Sequence, residues 1–238
     1  MLEINNLSKS FQDNKILNGV SFKLEPSHVY GLIGKNGIGK TTILNCLSGV
    51  LNYEEGEVLL DGKNIQDDMM SYKKRIAYTP DECAALEYLT GKEYLEFIYS
   101  VYYPKASQEK SNELQEKASP LIKLFDMEPF MNKLIRSYSH GTKQKISLIA
   151  SYLHDPDIWF LDEPLLGLDP KATAGLYKLF EERKANGKIV LVTIHDILAA
   201  EEICDTVFLL KDQHIYKTYL DVKGNDTFPI DAIKELKS

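Results

Sequence analysis

Gly34-Lys35-Asn36-Gly37-Ile38-Gly39-Lys40-Thr41-Thr42 has the spacing G-x-x-x-x-G-K-[ST], with a second threonine behind it. The apolar run Val29-Tyr30-Gly31-Leu32-Ile33 precedes it and reads as a buried strand. Ile43-Leu44-Asn45-Cys46-Leu47 follows, apolar at helical spacing. Strand, glycine loop and helix are the context in which this spacing carries meaning. Gly34, Gly37 and Gly39 let the backbone turn sharply and bring N–H groups close to an anion. The new helix adds unpaired N–H groups and the positive end of its dipole. Lys40 reaches terminal phosphates as a flexible point charge, and the Thr41 hydroxyl is a ligand for Mg²⁺. The loop therefore reads as a nucleoside triphosphate site.

The chain has 238 residues, of which 44% are hydrophobic, enough for one large domain or two small ones. Its net charge is −7, and it has no basic block, so binding nucleic acid by bulk charge is not expected. Cys46, Cys83 and Cys204 are odd in number and far apart, which suggests neither a disulfide frame nor a zinc site and fits a reducing compartment. The start, Met1-Leu2-Glu3-Ile4-Asn5-Asn6, lacks the basic-then-apolar pattern of a signal sequence. No apolar run approaches the roughly 18 residues of a membrane span.

Working outward, Leu2, Ile4 and Leu7 suggest a strand, and 12–14 a turn. A second strand is expected over 16–24, with Val20, Phe22 and Leu24 on one face. Phe11 sits at the corner of this hairpin: it is either a turn aromatic that packs locally or a flat face for a nucleotide base, and spacing leaves both open. Strands are expected at 57–62 and 75–79. From Leu86 to Leu153 the periodicity is helical. A capping box at Thr90-Gly91-Lys92-Glu93 opens one helix, and a polar one runs over 107–125. The core resumes with a strand at 158–163, a helix at 171–185 and a strand at 188–193. A helix to Cys204 and strands at 206–210 and 214–219 follow, then a short terminal helix. Strands alternating with helices argue for a mostly parallel sheet wrapped on both faces, with ligands at the carboxyl ends of its strands.

The acids and a histidine fall at such ends. Ile158-Trp159-Phe160-Leu161 runs into Asp162, placed to hold Mg²⁺ together with Thr41. Glu163, one residue on, faces the other way and suits a general base for an attacking water. His195 ends the strand at 188–194, within reach of a γ-phosphate. Upstream, Tyr138-Ser139-His140-Gly141-Thr142-Lys143-Gln144 precedes an apolar helix from Ile146 to Leu153. Ser139 and Gly141 there either merely start the helix or form a second anion site, and spacing does not decide.

The order of these motifs resembles the ATP-binding cassette (ABC) transporter ATPases. Gly34–Thr42 is similar to their phosphate loop, and Ser139-His140-Gly141 falls where their Leu-Ser-Gly-Gly-Gln signature sits. Gly167-Leu168-Asp169 resembles their D-loop, His195 their switch histidine, and Phe11 their base-stacking aromatic. The resemblance covers residues 2 to 220. It implies an α/β fold: a P-loop NTPase (RecA-like) core with an N-terminal antiparallel β subdomain and an inserted α-helical subdomain. As one cassette domain, the chain would divide into a core of 1–82 and 155–220, helices at 83–154, and a tail at 221–238.

The resemblance further implies an ATPase that uses ATP and Mg²⁺ and works as a homodimer, or as a heterodimer with a second ATP-binding subunit. ATP would lie between the phosphate loop of one subunit and Ser139 and Gly141 of the other. A separate membrane-spanning permease would be the partner, which places the chain in the cytoplasm at the inner face of the membrane. Two departures stand out. Tyr138, His140 and Thr142 replace the family's Leu, Gly and Gln. Asp81, followed by Glu82, stands where a Gln usually touches Mg²⁺, so Asp81 becomes a candidate metal ligand. The aromatic run Tyr88, Tyr94, Phe97, Tyr99, Tyr102, Tyr103 suits the groove that receives a permease helix, or simply packs inward. Leu89-Thr90-Gly91-Lys92-Glu93 with an acid at 81 is similar to bacterial export-type cassettes of the drug and antimicrobial-peptide kind. A soluble ABC-type ATPase of translation usually carries two cassettes. One of DNA repair separates the loop from the signature by long coiled coils. A subunit that binds ATP without hydrolysing it would not need Glu163 and His195.

Overall fold

Two sheets share the strands of this chain. The computed structural model describes residues 1–81, 86–104 and 108–237. Glu82, Cys83 and Ser107 of the sequence reading lie outside the described residues.

The smaller sheet is antiparallel. β1 (Leu2–Phe11) and β2 (Asn14–Leu24) form a hairpin closed at Phe11 and Asn14. β4 (Glu55–Leu60) lies on the other side of β1 and carries β5 (Lys63–Asn64) through the Asp61-Gly62 turn. β1 is longer than Leu2, Ile4 and Leu7 suggested. The spacing from Ile4 to Leu7 breaks strict alternation, and the register shifts between them, with Asn6 at φ 54°. That bulge returns Leu7 to the buried face and lets the strand continue to Phe11.

The larger sheet has six strands, numbered in chain order: β3 (His28–Ile33), β6 (Ile76–Thr79), β7 (Ile158–Leu161), β8 (Ile189–Thr193), β9 (Thr206–Lys211) and β10 (His214–Tyr219). Their spatial order is β10-β9-β3-β8-β7-β6, parallel except for β10 against β9. β7 and β8 are buried on both faces, which is why they read as unbroken apolar runs.

Alternate residues of these strands enter two cores. Val29, Trp159, Leu161, Val190 and Val192 face α3 (Gly91–Tyr102), α4 (Gln108–Leu124), α5 (His140–Tyr152), α6 (Pro170–Ala185), α7 (Ile197–Ile203) and α8 (Thr227–Lys237). Leu32, Ile158, Phe160 and Leu191 face α1 (Lys40–Leu47) and the apolar side of the small sheet. The expectation of helices wrapping both faces thus needs amending: one face is covered largely by a second sheet. Leu2, Leu7, Val20, Phe22 and Val58 have no other place to be buried.

α3, α4 and α5 sit between β6 and β7. Thr90 and Glu93 make the reciprocal capping box at the start of α3. α5 starts at His140, six residues ahead of its apolar run, because Ser139 caps it. One helix was not anticipated. α2 (Met69–Arg75) is short, polar and capped by Asp68, and runs directly into β6, so the periodicity of its few residues carries little signal. Among the described residues no helix is long and apolar enough to cross a membrane.

The ends of β6, β7 and β8 opposite the phosphate loop are tied by charge. Asp157 pairs with Arg75 at 2.7 Å and Lys188 at 2.9 Å, and Arg75 also pairs with Asp61 at 2.9 Å. Burial pushes the Asp157 carboxyl up, but the hydrogen bonds from Lys188 and Arg75 outweigh it and hold the group below its ordinary range. A carboxylate depressed in the folded state stabilises above its unfolded pKa of about 4, and this is lost as pH falls through the folded value. The melting temperature is therefore expected to drop as pH is lowered from about 5 to 3. Asp157→Asn should flatten that drop, and an equally steep profile in the variant would rule the network out as its source.

Candidate active site

Gly39 decides the shape of the loop. It caps α1 in the left-handed region at φ 116°, and a Cβ there would stand 2.9 Å from Leu17 and 3.0 Å from Ile16 on β2. The loop is thereby pressed against the small sheet, and α1 points its open N-terminus out of it. Lys40 folds back over this turn. Its Nζ donates to the carbonyls of Gly34 at 2.9 Å and Lys35 at 3.2 Å. The residue is only 5% exposed; burial lowers its pKa, while Glu163 and Asp162 pull it back up.

A cavity of about 270 Å³ opens over the loop, lined by Asn36, Gly37, Gly39, Lys40, Thr41, Thr42, Glu163 and His195. Three segments far apart in sequence thus meet at one site. Gly34, Lys35 and Ile38 do not line it: the first two hold Lys40, and Ile38 packs against the core. Asp162 is 1% exposed and does not line it either. Its Oδ1 accepts from the Thr193 hydroxyl at 2.6 Å, whereas Oδ2 is buried with no hydrogen-bond partner. A buried carboxylate oxygen left unsatisfied is costly, and a cation beside it would remove that cost. The unpaired carboxylate oxygen of Asp162 and the Thr41 hydroxyl on the cavity wall are oxygen donors of the kind that fit Mg²⁺.

Glu163 sits in the left-handed region at φ 47°, a strained setting for a side chain other than glycine. The Thr193 hydroxyl accepts its backbone N–H at 2.8 Å. Its carboxylate Oε1 is hydrogen-bonded to His195 Nε2. Thr193 therefore holds both acids at once. Sequence reading passed over it, because a threonine at the end of a buried strand has no signature of its own. Thr193→Val, nearly isosteric, leaves Asp162 Oδ1 and the Glu163 N–H unpaired. It is expected to cost about 1–3 kcal/mol of stability. Turnover should fall more than nucleotide affinity; equal loss in both would show that Thr193 only supports the fold.

Asp81 follows β6, half-buried, and does not line the cavity. Burial, then the charges of Asp162 and Asp81, push the Tyr78 phenol up. Phe11 is 46% exposed at the end of β1, with Lys9 Nζ 5.3 Å from its ring centroid.

Ser139 and Gly141 do not reach the cavity of their own chain. Ser139 caps α5: its Oγ accepts the Thr142 N–H at 3.3 Å and shares a hydrogen bond with the Thr142 hydroxyl at 2.8 Å. Tyr138 is buried, and its hydroxyl donates to the Phe130 carbonyl at 2.7 Å, so it serves the helical core. Gly141 lies so close to the loop after Glu163 that a Cβ would stand 2.2 Å from the Gly167 carbonyl. Asp169 closes this contact, capping α6 through Ala172 at 2.9 Å and pairing with Lys145 at 2.5 Å. Gln144 is buried with neither amide atom paired, a second residue the sequence did not single out.

Comparison with known proteins gives this geometry a family. A family profile described as "ABC transporter" matches residues 17–166. The ABC-type transporter ATP-binding protein EcsA of Bacillus subtilis (strain 168) is 33% identical over 216 residues, 90% of this chain and 85% of that one. Among solved structures, the ATP-binding subunit of an ABC transporter superposes with a TM-score of 0.89 at 27% identity, covering 100% of both chains. The dimeric cassette MJ0796 shares the fold with a TM-score of 0.85 at 24% identity, over 94% of this chain and 100% of that one. The chain belongs to the ABC transporter family, as an ATP-binding ATPase subunit.

Proposed function

We propose that the chain hydrolyses ATP at a site shared between two copies and so powers export through a separate membrane permease. The observation that carries the reading is the Glu163–His195 contact on the wall of the phosphate cavity. In this reading Asn36, Gly37, Gly39, Lys40 and Thr42 bind the triphosphate. The rest of the Gly34–Thr42 loop, Gly34, Lys35 and Ile38 included, gives it its shape. Phe11 stacks on the base. Thr41 and Asp162 would hold Mg²⁺, with Asp81 as a further oxygen ligand, and the bound ion would supply charge neutralisation for the phosphates. Glu163 accepts the proton of the attacking water, and His195 orients Glu163 and donates to the γ-phosphate.

Ser139 and Gly141 complete the site of the second copy. Neither reaches the cavity of its own chain, and both are exposed or half-buried at the start of α5, where backbone N–H groups favour an anion. Closure around ATP then does work because ATP binds the closed pair better than the open one. The acid at 81 and the Thr90–Glu93 helix start support an export-type cassette acting on a drug, peptide or lipid-like cargo at the inner face of the membrane. Purification from native membranes under mild detergent tests the partner. Recovery of a stoichiometric integral membrane protein is expected, and its absence with intact ATPase activity would point to a non-transport role.

A further inference from the structure

Arg183, near the end of α6, is 2% exposed, and only part of its guanidinium is paired. Nη1 donates to Asp155, whereas Nε and Nη2 are buried with no hydrogen-bond partner among the described residues. Those two nitrogens form one edge of the planar group, the edge that meets a carboxylate through two parallel hydrogen bonds. A buried donor without an acceptor is costly. Both are closed to bulk water, so an acceptor has to reach them from the cavity that Arg183 lines.

That cavity, of about 310 Å³, shares no residue with the phosphate cavity. It lies by the strand ends opposite the phosphate loop, where Asp155 also approaches Lys188 at 3.5 Å. α4 closes one side with Leu121, and the ends of α5 and α6 close the others. The walls offer three chemistries. Leu121 and Leu153 are buried and apolar, and the Tyr152 ring centroid stands 5.2 Å from the Arg183 guanidinium carbon. Arg183 supplies the donor edge. Glu182, Asp155 and the carboxyl ends of the two helices favour a positive charge. Lys117 on the wall is already engaged by Glu113 at 2.9 Å. A simple anion would meet the acids as like charges, whereas a molecule carrying both charges suits both sets of groups.

We propose that this cavity binds a small zwitterionic amino acid with an apolar side chain. Its carboxylate accepts from Nε and Nη2 of Arg183, its ammonium faces Glu182, and its side chain lies against Leu121 and Leu153. So bound, it bridges α4, α5 and α6. The inference stands apart from the ATPase reading, because it uses no residue of the phosphate cavity.

Isothermal titration calorimetry of the full chain with leucine, isocaproate and isoamylamine tests it, since isocaproate is leucine without the amine and isoamylamine is leucine without the carboxylate. Leucine is expected to bind about tenfold or more tightly than either. Arg183→Lys keeps the charge and loses the two-pronged edge, and should weaken leucine about tenfold or more. Glu182→Gln, at an exposed position, should remove the preference for leucine over isocaproate and leave the melting temperature unchanged. No binding of leucine, isocaproate bound by the parent chain as tightly as leucine, or leucine bound equally by Arg183→Lys would each overturn the inference and leave the ATPase reading standing. Should Arg183→Lys not fold, Glu182→Gln still decides, and an undiminished preference in that variant would overturn the inference.

Discussion

Glu163→Gln is expected to lower steady-state ATP hydrolysis by about a hundredfold or more while leaving ATP binding intact, so that an ATP-bound dimer accumulates. The range follows from what a positioned general base contributes, roughly 10²–10⁴ in rate. Glutamine keeps the size of the side chain and can still hydrogen-bond to His195, so the cavity wall should keep its shape. Only the capacity to take a proton is lost. The left-handed backbone at 163 is held from outside the residue, by the Thr193 hydroxyl on its N–H, and does not depend on the carboxylate. Phosphate release measures the first effect, and size-exclusion chromatography with ATP the second. Turnover equal to the parent chain would remove Glu163 from its assigned role.

Lys40→Ala is expected to fail earlier, at binding. A hydrogen bond to a charged group is worth about 1.5–3 kcal/mol, and tenfold in affinity corresponds to about 1.4 kcal/mol, so a loss of roughly 10–100-fold in ATP affinity is expected. A second loss adds to it. Lys40 bridges the carbonyls of Gly34 and Lys35, and without it the two ends of the loop are no longer tied. The N–H groups that should converge on the phosphates are then less well pre-organised. Titration with a fluorescent ATP analogue reads the affinity, and circular dichroism checks that the fold persists. Unchanged affinity would mean that the loop amides alone hold the triphosphate. The two variants separate binding from chemistry, since one should bind without turning over and the other should not bind.

Much of this was legible because it is local. The phosphate-loop spacing, the Thr90–Glu93 capping box, and the apolar runs ending at Asp162 and His195 each depend on neighbours within one turn or one strand. Strand ends gather at one edge of a parallel sheet, so the convergence of residues 34–42, 162–163 and 195 could be expected before any coordinates. α2 was missed because one short polar turn of helix has no distinctive period. The bulge in β1 was missed because the broken alternation from Ile4 to Leu7 reads equally well as the end of a strand.

By itself, then, the sequence determined most of the elements, their order and the groups able to meet a triphosphate, since backbone periodicity and residue chemistry are properties of short stretches. Tertiary structure alone decided which groups lean on which. It set the Thr193 hydroxyl between Asp162 and Glu163, left Asp162 Oδ2 buried without a partner, and pressed Gly141 onto Gly167. It also opened the cavity beside Arg183. Each of these contacts joins residues far apart along the chain, and their geometry follows from how the strands and helices pack, which no short stretch encodes.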